Sequence, residues 1–565
     1  MANFTISPGV SLNEIDNTFL TGQPVQAGAA IVGPAVKGPI NVPTLCTTYS
    51  DYVNRFGDTL ISGSQLYSFF TSISAYNYFQ NGGNSLLVTR VASGSYTSAT
   101  SSVIENSNTS SSFTLETISE GVIMNSTSSE GTGGVLPSGS KDNIRWEIVS
   151  ANTSSGNFTL VIRQGNDRAN KKVNLETYAN INLDPNSPRF ISKMIGDIKQ
   201  NYNSVNEQLE ISGSYSNSSR LVRVKSVNTP TPNYLDAGGV AKAEYTGSIP
   251  LVGSGSFGSA TGDLGAGTNF YGDITAGNTQ GVSASNYSDA LNILKNSEAF
   301  KYNVLSVPGL TDDLHGSTIS TLITNTQDRG DNILIFDLVS YGSTLTNVVN
   351  QASTRDTSYG ASYWPWVYYL DPGTGKSVWI PASTLIPGVY AKTDTQAAPW
   401  FAPAGINRGG LNGVLRTEFK LPQSNRDTLY EANINPLATL PRTGVVVFGQ
   451  KTLQKDASAL DRVNVRRLLI ALKNHIRQIS DTLVFEQNTA TTRNSFLSRV
   501  TPYLETVQQK QGLYAFKVVM DDSNNGPDVI DRNQLIGQVF IQPTRTAEFV
   551  SVDFVLLPTG AEFPA

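Results

Sequence analysis

Residues 302–336, YNVLSVPGLTDDLHGSTISTLITNTQDRGDNILIF, decide the fold. An apolar run at Tyr302–Val307 is closed by Pro308-Gly309, a helix is predicted over Leu314–Gln327, and a second apolar run occupies Asn332–Phe336. Strand, helix and strand in that order predict a parallel βαβ unit. Working outward, a helix near Tyr287–Lys295 precedes the unit, and a similar alternation stands near the start of the chain. There Ala29–Gly33 reads as a strand and Lys37-Gly38-Pro39 as a turn. Tyr49–Phe56 and Leu66–Phe79 read as helices, and Leu86–Val91 as a closing strand.

Between these two αβ stretches, from Ser93 to Ser285, the composition changes to Ser, Thr, Asn and Gly. Short alternating runs such as Ile144–Ile148 and Phe158–Ile162 punctuate it, which predicts a β-rich inserted module. After the second stretch, Tyr363–Leu370 and Ser377–Ile380 flank Asp371-Pro372-Gly373-Thr374-Gly375-Lys376 as a hairpin around its turn. The strongest helix spans Leu460–Leu483. Val465, Leu469, Leu472, Ile476, Ile479 and Leu483 form one apolar stripe, and Arg462, Arg466, Arg467, Lys473 and Arg477 collect opposite. A helix at Thr492–Gln509 and a strand at Tyr514–Val519 follow. Both ends read as lone strands, Phe4 to Gly22 and Ala547 to Leu557, with too little apolar surface to fold alone.

The expected fold class is therefore α/β (α+β) and multidomain. Its parts are an N-terminal extended arm (1–22), the first part of an αβ core (23–92), an inserted β-rich outer module (93–285), the return of the core (286–435), a C-terminal domain (436–543) and a C-terminal strand arm (544–565).

Composition narrows the function. The chain has 565 residues with 40 Lys and Arg against 45 Asp and Glu, a net charge of −5, so no basic bias points to nucleic acid. Charged residues are only 15%, well under the usual share of about 25%, so this surface must stay soluble with few charges or be covered by neighbours. A single cysteine, Cys46, excludes an intrachain disulfide and a cysteine-based zinc site within one chain. The N-terminus lacks a signal-peptide pattern, and no apolar run reaches the ~18 residues of a membrane span.

Motifs that resemble chemical sites fail on their context. A phosphate loop needs Gly where Leu370 stands. Gly253-Ser254-Gly255-Ser256-Phe257-Gly258 matches the dinucleotide fingerprint by letter, but Thr261–Gly267 cannot start the required helix, so a glycine-rich loop is expected. Asp521, Ser523, Asn525 and Gly526 begin like a calcium loop, yet Arg532 occupies the position of the bidentate Glu. His315 and His475 are the only histidines, and no Gly-x-Ser-x-Gly elbow accompanies them; His315 is expected in a capping or surface role. No catalytic, metal or cofactor-binding residue is assigned, and no enzyme activity is expected.

Several blocks together resemble the contractile tail sheath proteins of myovirus-type bacteriophages. They are Ser7-Pro8-Gly9-Val10 with Glu14-Ile15-Asp16, Ala30–Pro34 through Pro39, Tyr49–Gly57, and Asp184-Pro185-Asn186-Ser187-Pro188-Arg189-Phe190. The densest block runs from Tyr363-Trp364-Pro365-Trp366 through Pro387–Ala391, Asp394 and Ala398-Pro399-Trp400 to Pro403-Ala404-Gly405, and Pro543–Phe554 with Gly560–Phe563 is similar as well. The resemblance implies a core of subtilisin-like topology without protease activity, in a structural subunit that needs no nucleotide or metal. Such a subunit forms stacked hexameric rings around a tail tube and contracts to drive the tube through a bacterial envelope for genome delivery. The implied partners are further copies of the chain, the tube protein, and baseplate and tail terminator proteins, with no direct nucleic acid and no membrane insertion. The implied place is the virion tail, assembled in the host cytoplasm.

On this reading Phe4, Ile6, Val10, Leu12 and Ile15, with Phe549, Val550, Val552, Phe554 and Val555, add as strands to a neighbouring subunit's sheet. Arg462, Arg466, Arg467 and Lys473 form a basic helix face toward the tube. A type VI secretion or phage-tail-like bacteriocin sheath shares the motifs, and an αβ nucleotide hydrolase is the alternative from another class.

Overall fold

The structure is a computed structural model and describes residues 25–62, 65–126, 130–264, 274–441 and 443–548. Its centre is a six-stranded sheet in the order Gly360–Ala361, Ile333–Asp337, Val304–Thr311, Ala29–Gly33, Leu86–Arg90, Thr44–Cys46. All neighbours are parallel except the last pair. Val304 stands opposite Ile333 and Ser306 opposite Ile335, and the helix Asp312–Arg329 makes the connection between those strands. The βαβ unit read from residues 302–336 is thus present, with the helix two residues longer at each end than expected. It stops at Gly330, whose φ of 66° is a left-handed conformation that favours glycine.

Both faces of this sheet are buried, as parallel sheets require. Ile31, Val88, Val304 and Ile335 pack on one side against Phe70, Ile73 and Tyr390 from the helices Phe70–Gln80 and Ile386–Gln396. Ala30, Val32, Leu305 and Leu334 face the other way, against Leu291, Leu294, Ile319 and Leu322. Leu66, expected inside a helix, lies instead in the short strand Gln65–Tyr67, paired with Leu60–Ser62.

The insertion holds a seven-stranded antiparallel sheet with its own core around Phe113, Trp146, Leu160 and Phe257. The glycine-rich loop expected at 253–258 is corrected to a strand between Ile144–Asn152 and Ser98–Ser101. Its glycine serves packing: a Cβ on Gly255 would stand 2.6 Å from the Trp146 ring. The module is tied to the central body by the buried Arg90, whose guanidinium donates to the carbonyls of Ala35 (3.1 Å), Gly38 (2.6 Å) and Glu120 (2.9 Å). Arg220–Asp51 (3.0 Å) and Lys141–Asp58 (2.5 Å) add ion pairs across the same seam.

Two expected boundaries shift. Residues 274–285 continue the polar composition of the insertion but pack as part of the central body. Thr279 Oγ1 donates to the Gly309 carbonyl (2.6 Å), the Phe70 N–H donates to Gln280 Oε1 (2.8 Å), and Val282 lies in the core. Polar side chains there satisfy buried backbone groups, a use that composition does not reveal. At the other boundary, 435/436 falls inside the strand Asn435–Leu440, which pairs with Gly444–Val447. Leu437, Val445, Val447 and Val463 belong to the central core, and the separate C-terminal core begins only at Leu468. The hairpin around Asp371 forms as read, with Val367–Leu370 opposite Ser377–Ile380.

A chain in which residues 94–264 are replaced by a short Gly/Ser linker is expected to unfold cooperatively, with the helix signal of the central body intact by circular dichroism. Extending the deletion to residue 285 is expected to lower stability by about 2 to 6 kcal/mol in urea titration, because the Phe70 N–H and the Gly309 carbonyl then lose buried partners. Equal stability of the two chains would contradict the placement of 274–285.

Candidate functional site: the C-terminal helix pair and its two-stranded sheet

The helix Val463–Asp481 starts after Arg462, which stands at its N-cap without a side-chain capping bond. From Val463 to Leu468 it is buried on all sides, because it enters the seam between the two cores: Val463 and Ile470 join the central one, Leu468 and Leu472 the C-terminal one. This overturns the expected basic face. Arg466 and Arg467 are each only 4% exposed. The Arg466 guanidinium stacks 4.0 Å over the Tyr359 ring and donates to the Ser358 carbonyl at 3.1 Å, and burial pushes its pKa down. That of Arg467 stacks 4.5 Å over Tyr390 and donates to both Asp394 oxygens, at 2.7 and 2.6 Å.

Arg462 pairs with Asp461 and Glu548, both at 2.8 Å; burial, the largest influence, opposes its charge, but the Glu548 hydrogen bond and the neighbouring Tyr430, Glu548 and Asp461 together raise its pKa. Of the expected face only Lys473 and Arg477 are exposed. The reason is the side chain itself, since a planar guanidinium on a long apolar stem can stack on tyrosine and pair with carboxylate inside a seam. The apolar stripe holds better: Val465 and Leu472 are buried, and Ile476, Ile479 and Leu483 lie half-buried against the C-terminal core.

The second helix, Ala490–Gln509, is capped by Thr489, whose hydroxyl accepts from the Thr492 N–H. Its Phe496, Val500, Leu504 and Val507 recur every three or four residues and cover one face of a two-stranded antiparallel sheet, Leu513–Val519 with Gln538–Pro543. Phe516 opposes Ile541 and Val518 opposes Val539, all four turned toward the helices yet only half-buried. On the other face Tyr514 is 64% exposed and Phe540 55%. Neither outer edge of this sheet has a partner strand among the described residues. Two strands with a half-covered inner row are marginal by themselves, and each open edge presents a row of backbone donors and acceptors.

The expected donor residues, Phe4, Ile6, Val10, Leu12, Ile15, Phe549, Val550, Val552, Phe554 and Val555, lie outside the described residues. The pairing of the strands Leu513–Val519 and Gln538–Pro543 into a sheet with open edges was not identified from sequence. Its signal was the short alternation Phe516, Val518 against Val539, Ile541.

At the carboxyl end of the strand Ile333–Asp337, on the side where α/β folds commonly bind ligands, the polar side chains Asp337 and Ser383 are buried. Asp337 is buried and accepts from Ser383 Oγ (2.5 Å) and the Ser383 N–H (3.1 Å), and burial pushes its carboxyl up to about 7. Ser383 is fully buried with its hydroxyl committed to that carboxyl, so it cannot meet a substrate. His315 is buried, which corrects the surface alternative: its Nδ1 accepts from the Thr311 N–H (3.1 Å) at the helix start, and its Nε2 lies 3.1 Å from the Thr275 carbonyl. His475 stacks on Tyr503. Among the described residues no group of three His, Cys, Asp or Glu side chains could hold a metal, and no helix is long and apolar enough to cross a membrane.

Comparison with known proteins gives a consistent picture. Residues 280–453 match the phage tail sheath protein central domain, and residues 455–556 match the phage tail sheath C-terminal domain. A tail sheath protein of Vibrio phage KVP40 is 38% identical over 207 residues, 37% of this chain and 31% of the relative. That of Enterobacteria phage T4 is 37% identical over 222 residues, 39% of this chain and 33% of the relative. The match therefore spans about a third of the length of these relatives. A sheath tail protein from Listeria innocua, solved as a crystal structure, superposes over 92% of this chain and 95% of its own with a TM-score of 0.52 at 11% identity, which is a likeness of fold.

Two outcomes follow for the buried charges. Arg467→Gln is expected to cost about 1 to 3 kcal/mol in urea titration, since Asp394 is partly exposed and regains water, whereas Lys473→Gln should stay within about 0.5 kcal/mol. For Asp337 the folded pKa lies above the unfolded value, so its favourable contribution is complete below about pH 4 and is lost as pH rises toward about 7. The stability difference between the parent and Asp337→Asn is expected to change by on the order of 2 to 4 kcal/mol across that window and to be flat above it.

Proposed function

We propose that this chain is a structural subunit of a contractile tail sheath and not an enzyme, a reading supported by the matches of residues 280–453 and 455–556 to the phage tail sheath central and C-terminal domains. Copies stack as hexameric rings around a tail tube, and contraction drives the tube through a bacterial envelope for genome delivery. The central αβ body has subtilisin-like topology, the β-rich insertion faces outward, and the ends act as strand arms. Baseplate and tail terminator proteins close the polymer at its two ends. The assembly forms in the host cytoplasm and resides in the virion tail.

The observation that carries this reading is the two-stranded sheet Leu513–Val519 with Gln538–Pro543, open at both edges among the described residues. The sequence also reads as strand-like at both ends, so donors and acceptors match one for one: two open edges per copy take two arms from other copies. Such contacts are heterologous, joining one surface to a different one, and heterologous contacts propagate into rings and helices where isologous ones stop at dimers. Backbone hydrogen bonds supply affinity and the alternating side chains supply register. Subunits joined by arms can change their body-to-body packing without separating, and a difference of a few kcal/mol per subunit between two packings commits a large cooperative polymer. The tube contact of the long helix falls to its exposed end, Lys473 and Arg477, since Arg466 and Arg467 are consumed inside the chain. A contact made by such exposed charges weakens with ionic strength over a screening length of about 8 to 10 Å, which suits a tube that must be released.

Chains lacking residues 1–20, or residues 549–565, are expected to keep the parent's circular dichroism spectrum and yet form no tubes in negative-stain micrographs. Normal tubes from both truncated chains would overturn the arm reading.

A further inference from the structure

Beyond Pro543 the chain does not run on freely from its sheet. Thr544 Oγ1 donates to the Gln511 carbonyl (2.8 Å), and Asn464 Nδ2 donates to Thr546 Oγ1 (3.2 Å). Glu548 then meets three donors from three separate parts of the central body. Tyr430 Oη, at the end of the helix Gln423–Glu431, donates to Glu548 Oε2 at 2.5 Å. Gln450 Nε2, after the strand Gly444–Val447, and Arg462 Nε, before the long helix, donate to Oε1 at 2.9 and 2.8 Å. The residues before it offer no apolar anchor: Arg545, Thr546 and Ala547 are all exposed. The carboxylate is the firm point of this strap.

We propose that Glu548 is a positioning residue for assembly: it clips the root of the C-terminal arm to the central body and so fixes the direction in which residues 549–565 leave for a second copy of this chain. The proposal rests on the arm reading given above and names the device that makes it work. Seventeen residues extended reach about 55 Å from their root, and an arm swinging freely from Pro543 would spread over a much larger volume than one launched from a fixed point. Restricting that volume raises the effective concentration of the arm at the acceptor edge.

The donors are also held. Lys451 Nζ donates to the Tyr430 carbonyl (2.8 Å) and to Asn433 Oδ1 (3.1 Å) and lies 4.5 Å over the Tyr430 ring, and Arg462 is steadied by Asp461. Burial alone would favour the neutral acid, but hydrogen bonds from Tyr430, Arg462 and Gln450 outweigh it and keep the Glu548 carboxyl below the usual range. The clip is therefore charged at neutral pH.

The test uses the full chain, with Glu548→Gln, Glu548→Ala, Tyr430→Phe and a chain ending at residue 548. Both Glu548 variants are expected to keep the parent's circular dichroism and thermal midpoint. Amides of residues 544–548 should exchange hydrogen roughly tenfold or more faster, because a charge-assisted bond is lost from the strap. Subunit association in sedimentation velocity should weaken by about tenfold or more, with Gln milder than Ala because it still accepts a hydrogen bond. Adding Tyr430→Phe to Glu548→Ala should cost nothing further, as both remove the same contact.

Parent-like association of Glu548→Ala, while the chain ending at 548 fails to associate, overturns the clip and leaves the arm reading standing. Parent-like association of the chain ending at 548 overturns the arm reading and the clip with it. Should Glu548→Ala not fold, Glu548→Gln decides: parent-like association of that chain overturns the clip.

Discussion

A parallel sheet covered on both faces governs the rest of this molecule. Ile31 and Val88 point to one layer of helices while Ala30 and Leu87 point to the other, and neither face has room for anything more. Whatever else the chain carries must hang from loops and edges. The insertion therefore leaves after Arg90, at the end of a sheet strand, and builds a separate core of its own. The long C-terminal helix joins the central core through Val463 and Ile470, while the two C-terminal helices together cover one face of a new, small sheet. That sheet has only two strands, and both its edges lack a partner strand among the described residues.

Between the cores, arginines act as joints. Arg90 gathers three carbonyls at the root of the insertion, Arg466 and Arg467 stack on Tyr359 and Tyr390 where the long helix crosses from one core to the next, and Arg462 reaches the departing tail. In a chain with 15% charged residues, cations placed at the seams add to the apolar contacts that join the modules, such as Val36 and Phe69 against Ile123. Guanidinium groups suit the task, since one group satisfies several carbonyl or carboxylate oxygens in a plane while its face rests on an aromatic ring. The joints are polar and directional, so they fix angles between modules that dispersion contacts alone would leave loose.

Open sheet edges are usually a hazard, because any strand can add to them. Here the inward row of Phe516, Val518, Val539 and Ile541 alternates with an outer face on which Tyr514 and Phe540 stay half exposed, so any strand added to an edge would have to match that alternation. Selectivity thus comes from alternation and affinity from the backbone, a division of labour suited to a polymer of identical parts.

Local patterns carried a good share of this architecture. The apolar runs around Pro308-Gly309 and Gly330 marked the βαβ unit to within a few residues, the Asp371 turn announced its hairpin, and the Ser/Thr/Asn/Gly composition marked the β-rich insertion, because each depends on neighbours within a dozen positions. Charge on the long helix was legible as a pattern but not as a surface: helical periodicity places Arg466 and Arg467 on a face, whereas the tyrosines and the carboxylate that receive them come from residues 359, 390 and 394. The strand at 253–258 was hidden for the same reason, since its glycines make sense only beside Trp146. The meeting of Glu548 with Tyr430, Gln450 and Arg462 was beyond any local reading. Sequence by itself determined the central βαβ unit, the Asp371 hairpin and the two C-terminal helices, because those follow from short-range sterics and burial periodicity. Only the tertiary structure decided which charges are spent inside the chain and which sheet edge stays open, because both depend on contacts between residues some 30 to 120 positions apart.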